Sequence, residues 1–294
     1  MRNIRFLAAL AVAALPLLAS AQRDFSGVEI KTSALREGTH MLTGAGGNMV
    51  ASAGADGVFL IDDQFAPLSD KIRAALSTLS DKPLRFVVNT HWHGDHTGGN
   101  ENFGKAGAVI LAHDNVRKRM GVEQLLRGDK IPAAPGAALP VVTFASDLTL
   151  HLNGDTVRVK HVAQAHTDGD ALVKFERANV LHMGDVYFNG LYPFIDAESG
   201  GSIGGMLAAV ERGLALSDAG TIVVPGHGPV SNRAELARYG AMLTEYRDRI
   251  AALKAEGRTL AQVVAAKPTA ATDELLGKAF IKPDELVRSI YETL

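Results

Sequence analysis

Four side chains able to bind a metal ion fall within six residues of this chain, in His91-Trp92-His93-Gly94-Asp95-His96. They follow directly on an apolar, strand-like run, Leu84-Arg85-Phe86-Val87-Val88-Asn89. Imidazoles crowded this closely repel one another when protonated and are costly to bury when neutral and unsatisfied. A bound cation removes both penalties by taking up the nitrogen lone pairs and balancing the carboxylate. Packing offers no comparable reason for three histidines and an aspartate at this density. The segment predicts a transition-metal site with His91, His93, Asp95 and His96 among its ligands.

Three more residues of ligand type share one setting. Val157 to Ala163 leads through Gln164-Ala165 to His166, Asn179 to Met183 leads through Gly184 to Asp185, and Thr221 to Val224 leads through Pro225-Gly226 to His227. Each follows an apolar run of strand length, and Gly184 and Gly226 let the chain turn tightly before Asp185 and His227. In open α/β sheets ligands bind beyond the carboxyl ends of strands. Four strand ends can thus deliver seven groups to one edge. Seven exceeds the four ligands of a tetrahedral zinc and suits two metals about 3.5–4 Å apart. The chain contains no cysteine, so the donors are all nitrogen or oxygen. Such a set fits Zn²⁺ and leaves Fe or Mn open. The other histidines, His40, His113, His151, His161 and His182, have no cluster partners, and His161 and His182 read as core residues within strands.

The elements that must carry these groups can be read coarsely. Strands are expected near 28–35, 39–43, 48–53 and 57–62, then a helix near 67–79 with Leu68, Ile72, Leu76 and Leu79 on one face. Strand 84–89 precedes the ligand cluster, followed by a strand at 108–112, a helix near 114–126 and a Gly/Ala/Pro-rich loop over 128–140. Strands resume near 141–144, 148–152, 156–163, 171–175 and 179–183. A helix over 203–216, a strand over 221–224, a long helix over 231–256 and two or three short helices in 259–294 complete the chain. Strand clusters separated by helices in both halves predict two sheets face to face with helices outside.

Arg2 and Arg5, the apolar Phe6 to Leu18 and Ala19-Ser20-Ala21 form an export signal with cleavage near Ala21. Its apolar stretch is short of the ~20 residues that span a bilayer. The mature chain, 22–294, is expected to be one exported, periplasmic or secreted domain with a helical tail from about 259. Removing Arg2 and Arg5 leaves 28 Lys+Arg against 32 acids, a net charge of about −4. No basic stripe with interleaved aromatics occurs, which excludes nucleic acid as a partner. No later stretch is apolar enough to span a membrane, and a small molecule is the expected substrate.

The H-x-H-x-D-H run, Ala165-His166-Thr167-Asp168-Gly169-Asp170, Gly184-Asp185 and Pro225-Gly226-His227-Gly228, in this order, closely resemble the metallo-β-lactamase superfamily. The resemblance runs from about Gly27 to the 231–256 helix. It implies an α/β fold, a four-layer αββα sandwich of two mixed sheets with the site at their shared edge. It also implies His91, His93 and His166 on a first zinc, Asp95, His96 and His227 on a second, and Asp185 between them. A metal-activated water attacking a polarised carbonyl or phosphoryl group would follow, with Asp95 orienting it. Many class B β-lactamases carry Cys where Asp185 stands, with a Lys soon after; here Val186-Tyr187-Phe188 follows, and no Lys occurs before Lys254. The expected activity is hydrolysis of an amide- or ester-type bond, of which a β-lactam is one case. Lactonases, esterases and glyoxalase II-like thioesterases are the alternatives, and a non-catalytic metal-binding protein is a distant one.

Around the ligands several residues carry two roles on sequence alone. Asp62 either braces a ligand histidine or shapes a turn. Tyr187, Phe188, Leu191, Tyr192 and Phe194 either line a substrate or fill the core, and Asn189 is a candidate donor to a developing oxyanion. Gly44 to Asn48 forms either a flap or a plain hairpin turn. Trp92 reads as a packing residue at the rim.

Overall fold

A computed structural model of the chain describes residues 24–294, so the expected signal segment, 1–21, lies outside the described residues. The first half runs β1 (Lys31–Ala34), β2 (Thr39–Thr43), β3 (Met49–Gly54), β4 (Gly57–Ile61), α1 (Ser69–Ser77), β5 (Leu84–Val88), α2 (Gly94–Thr97), α3 (Asn100–Lys105), β6 (Val109–His113), α4 (Asp114–Met120), β7 (Gln124–Leu126), β8 (Asp129–Ile131) and β9 (Val142–Phe144). The second runs β10 (Asp147–Leu152), β11 (Asp155–His161), β12 (Ala171–Phe175), β13 (Val180–His182), α5 (Ile203–Ala215), β14 (Ile222–Val224), β15 (Ser231–Asn232), α6 (Arg233–Ala255), α7 (Leu260–Ala265), α8 (Ala270–Leu276) and α9 (Pro283–Glu292). One sheet has the order β1-β2-β3-β4-β5-β6-β9 and the other β10-β11-β12-β13-β14-β15. Both are mixed: β4-β5-β6-β9 are parallel in the first, and β13-β14 in the second.

The two-residue period of a strand sorts side chains into layers. Val50, Phe59, Ile61, Val88 and Leu111 face Val157, Val159, Val173, Phe175 and Val224 of the second sheet in one buried cluster. Their neighbours Met49, Ala51, Val58, Leu60 and Val87 turn the other way onto Leu68, Ile72 and Leu76 of the α1 region and Phe103 of α3. On the second sheet Leu172, Leu181 and Val223 pack outward against α5, α6 and the tail helices. In α6, Leu236, Tyr239, Leu243, Tyr246 and Ile250 form one buried stripe at alternating spacings of three and four. The result is the expected αββα sandwich. Burial on both faces explains why the central strands read as unbroken apolar runs.

Two local expectations are corrected. The helix over 114–126 stops at Met120, and 124–126 instead forms β7, which pairs antiparallel with β8 inside the stretch read as a loop. Gly121 ends the helix, and Arg127-Gly128, with φ of 54° and 87°, closes a two-residue hairpin turn. Strand 28–35 shortens to Lys31–Ala34, a fully exposed edge. Among the described residues, no helix is long and apolar enough to cross a membrane.

Candidate metal centre

The ligand groups come from loops at the carboxyl ends of the inner strands. His91 lies just past β5, His93 is the extended residue before α2, and Asp95 and His96 occupy that short helix. His166 sits between β11 and β12, Asp185 in the turn after β13, and His227 after β14. All seven expected ligands meet. His91, His93 and His166 form one group, Asp95, His96 and His227 a second, and Asp185 joins His91 and His96 in a third, with ligand atoms in each group within 4.8 Å of one another. Asp185 Oδ2 lies 3.7 Å from His166 Nε2 and 3.3 Å from His227 Nε2, while its Oδ1 lies 3.1 Å from His96 Nε2. One carboxylate thus reaches both histidine sets.

The outward nitrogens are already engaged. His91 Nδ1 meets Thr90 Oγ1 at 3.1 Å, His93 Nε2 meets Asp196 Oδ2 at 2.9 Å, His96 Nδ1 meets Asp62 Oδ2 at 2.8 Å, and His166 Nδ1 donates to the Phe194 carbonyl at 2.7 Å. A carbonyl only accepts, so neutral His166 keeps its lone pair on Nε2, which lies 2.8 Å from His93 Nδ1. With His93 donating to Asp196, two lone pairs would face each other unless a proton or a cation lies between them. His91 Nε2 and Asp185 Oδ1 are buried without a hydrogen bond. Inward lone pairs, braced outer nitrogens and a shared carboxylate fit a metal centre.

The electrostatics divide the two sets. Burial, assisted by His93, drives the His166 imidazole down to about 4, and burial with His96 lowers His91 well below its usual range. Both stay neutral at physiological pH. In the second set burial opposes the charged forms, but opposite charges outweigh it. Asp185 and Asp95 raise His227 to about 9, the same aspartates with Asp62 lift His96, and His96 and His227 hold Asp95 down to about 2. Asp95 and His227 are also the open side, with side chains 28% and 25% exposed.

Several supporting residues emerge only in three dimensions. Asp62 accepts from the Thr90 backbone and hydroxyl as well as contacting His96, so its bracing role holds. Asp196, which braces His93, carries no sequence signal. The Gly44 to Asn48 turn is pinned rather than free: Gly47 N donates to Asp95 O at 3.0 Å, and Asn48 N to Gly226 O at 2.7 Å. A Cβ on Gly47 would fall 2.0 Å from His96 Cε1, and one on Gly226 2.0 Å from Asp185 Oδ1. The glycine density of both motifs was the available signal.

Trp92 is buried with Ala112, Val116 and Met120 and donates to Ser199 Oγ. His182 is a satisfied core residue, bonded to Asn48 O and Gly184 N. The aromatic stretch splits. Tyr187 and Tyr192 enter the core, whereas Phe188 stacks on His227 at 5.3 Å and Phe194 on His93 at 5.8 Å between ring centroids. Asn189 donates one side-chain N–H to the Pro229 carbonyl at 2.9 Å, which ties down the loop that carries His227.

Known proteins resemble this chain at three levels. Hydroxyacylglutathione hydrolases of Nitrosococcus oceani and a Polaromonas species are 29% and 28% identical over 149 and 177 residues, covering 50% and 58% of this chain. The chain spans 49% and 60% of those relatives' own length. The alpha subunit of a 2,4-dinitroanisole O-demethylase from a Nocardioides species is 26% identical over 144 residues, 48% of this chain and 41% of that protein. In structure, a metallo-beta-lactamase from Pontibacter korlensis matches 74% of this chain and 99% of its own at a TM-score of 0.61 and 18% identity. The sec-alkylsulfatase Pisa1 from a Pseudomonas species matches 90% of this chain and 50% of its own at 0.64 and 18% identity. These likenesses establish the fold. A family model for the metallo-beta-lactamase superfamily matches residues 43–231, well over half the chain and the range that holds all seven candidate ligands, and the chain belongs to that superfamily.

Proposed function

We propose that this chain is a metal-dependent hydrolase of acyl bonds of ester or thioester type, holding two zinc ions. His91, His93 and His166 would hold one ion, Asp95, His96 and His227 the other, and Asp185 both. When bound, such a pair supplies Lewis acidity that polarises a carbonyl and makes water nucleophilic near neutral pH. The observation that carries the reading is the single Asp185 carboxylate lying within reach of both histidine sets. Asp95 supplies proton chemistry. It is held ionised, and it lies at the open side, where it can accept a hydrogen bond from water and carry a proton toward a leaving group. Asp62 and Asp196 keep the ligand rings in register.

The hydroxyacylglutathione hydrolase relatives favour a thioester or ester over the β-lactam amide. The β-lactam reading is supported by fold likeness, and the absence of a Lys between Asp185 and Lys254 counts against it. Zinc-loaded protein should hydrolyse S-acyl glutathione or aryl esters, lose the activity to a chelator and regain it with zinc. Asp95→Asn should retain metal while turnover falls about 10²-fold or more. Undiminished turnover by metal-stripped protein would refute the proposal, whereas chelator-sensitive cleavage of nitrocefin alone would move it to the β-lactam reading. Export through the 1–21 segment belongs to the same proposal, and a mature N-terminus at Gln22 in the exported fraction is its expected mark.

A further inference from the structure

One aromatic path leads from the ligand rings to the surface. Phe194 stacks on His93 at 5.8 Å and meets His166 edge-on at 5.6 Å, and its other side meets Phe280 at 6.1 Å. Phe280, between α8 and α9, is 63% exposed. Phe188 touches ligand rings too, but it is only 4% exposed and leads nowhere. The outward path is held from the other half of the molecule. At the tip of the β7–β8 hairpin, Arg127 places its guanidinium 4.5 Å from the Phe280 ring centroid and 5.7 Å from that of Phe194. The hairpin is itself anchored, because Leu126 and Ile131 pack on the Trp92 cluster.

Two features of this arrangement are poorly explained by packing alone. A large ring left in water one aromatic contact away from the candidate ligands forgoes burial that a substrate can supply. Arg127 also occupies a left-handed turn position that Asn or Asp fills at less cost, so its head group is the part that matters. That head group is neutralised by an ion pair with Glu285. The wall it supports is therefore apolar and uncharged.

We infer that Phe194 and Phe280, held by Arg127, form the specificity surface of the site, and that the substrate carries an extended apolar or aromatic acyl group along it. The inference rests on the hydrolase reading above. Its test is a homologous series of para-nitrophenyl esters, from acetate to decanoate, on the zinc-loaded protein. In the wild type kcat/KM rises with chain length, by up to about fourfold per methylene that reaches the wall. Phe280→Ser should lower the ratio of long-chain to short-chain kcat/KM roughly tenfold, and Arg127→Ala should lower it as well by releasing the wall. Val141→Ser, at an equally exposed apolar residue preceding β9, should leave the ratio in place. Product inhibition gives a second measure: decanoate should inhibit more strongly than acetate, and Phe280→Ser should narrow the gap. A flat series in the wild type, or an unchanged ratio in Phe280→Ser, overturns the inference while leaving the hydrolase intact. Absence of metal-dependent hydrolysis even of acetate esters and thioesters defeats the hydrolase reading and the inference together.

Discussion

Without metal, protons do part of the cation's work at the second ligand set. His96 and His227 are both held in their charged forms at neutral pH by Asp185 and Asp95, so two imidazolium groups balance two carboxylates. A metal ion entering there must displace those protons, whereas His91 and His166 are already neutral. Binding of the second ion should release about two protons near pH 7 and weaken as pH falls, since lower pH favours the competing imidazolium forms. At the first ion His91 and His166 should contribute little proton release above pH 5. Calorimetric titration in buffers of different ionisation enthalpy separates the two, and equal proton release at both steps would contradict this assignment. The braces are separable in the same way. Asp62→Ala should weaken the ion held by His96, and Asp196→Ala the ion held by His93, each roughly 10–100-fold by chelator competition. An equal loss at both ions from either variant would mean that the aspartates merely support the fold. The candidate ligand cluster was legible because imidazole crowding has no cheaper explanation. Asp196 was not, because it approaches His93 from a loop distant in sequence, and no spacing records that contact.

Among the elements, those with a buried face announced themselves. Strands β3 to β6 and helix α6 carry apolar residues at the period their packing demands, and their expected bounds lie within a few residues of the observed ones. The β7–β8 hairpin did not, because much of it faces solvent and its turn is built on Arg127-Gly128 rather than the commoner Asn-Gly. The Gly44 to Asn48 turn was legible as a turn but not as part of the site, since no spacing in the sequence records that Gly47 lies against His96. That contact yields a sharp expectation. Gly47→Ala puts a methyl group where the His96 ring stands, so ring and turn must separate. Overpacking of this kind typically costs 1–3 kcal/mol, and here it should be accompanied by loss of the second metal. Urea unfolding and metal content measured on one preparation test it. A variant with wild-type stability and full metal content would show that the turn can move aside freely.

At the scale of the molecule, each half supplies candidate ligands that the other cannot replace. His91, His93, Asp95 and His96 follow the first sheet, while His166, Asp185 and His227 follow the second. The boundary between the sheets was invisible in sequence because β9 and β10 are both strands, and only Ala145-Ser146 separates them. Metal bound at this seam would join the sheets at one edge, adding to the apolar cluster that joins them elsewhere. A ligand that binds only the folded state stabilises it by RT ln(1 + [L]/Kd), about 4 kcal/mol at a thousandfold excess over Kd. For a chain of this size that raises Tm by roughly 10 °C. Calorimetry with zinc and with chelator should show that difference, as one cooperative transition in each case. His93→Ala and His227→Ala, one from each half, should both shrink the zinc-dependent increment, because each ion draws on both sheets. If zinc left Tm unchanged, or if the metal-free protein melted in two separate steps, the seam would be held by its apolar core alone.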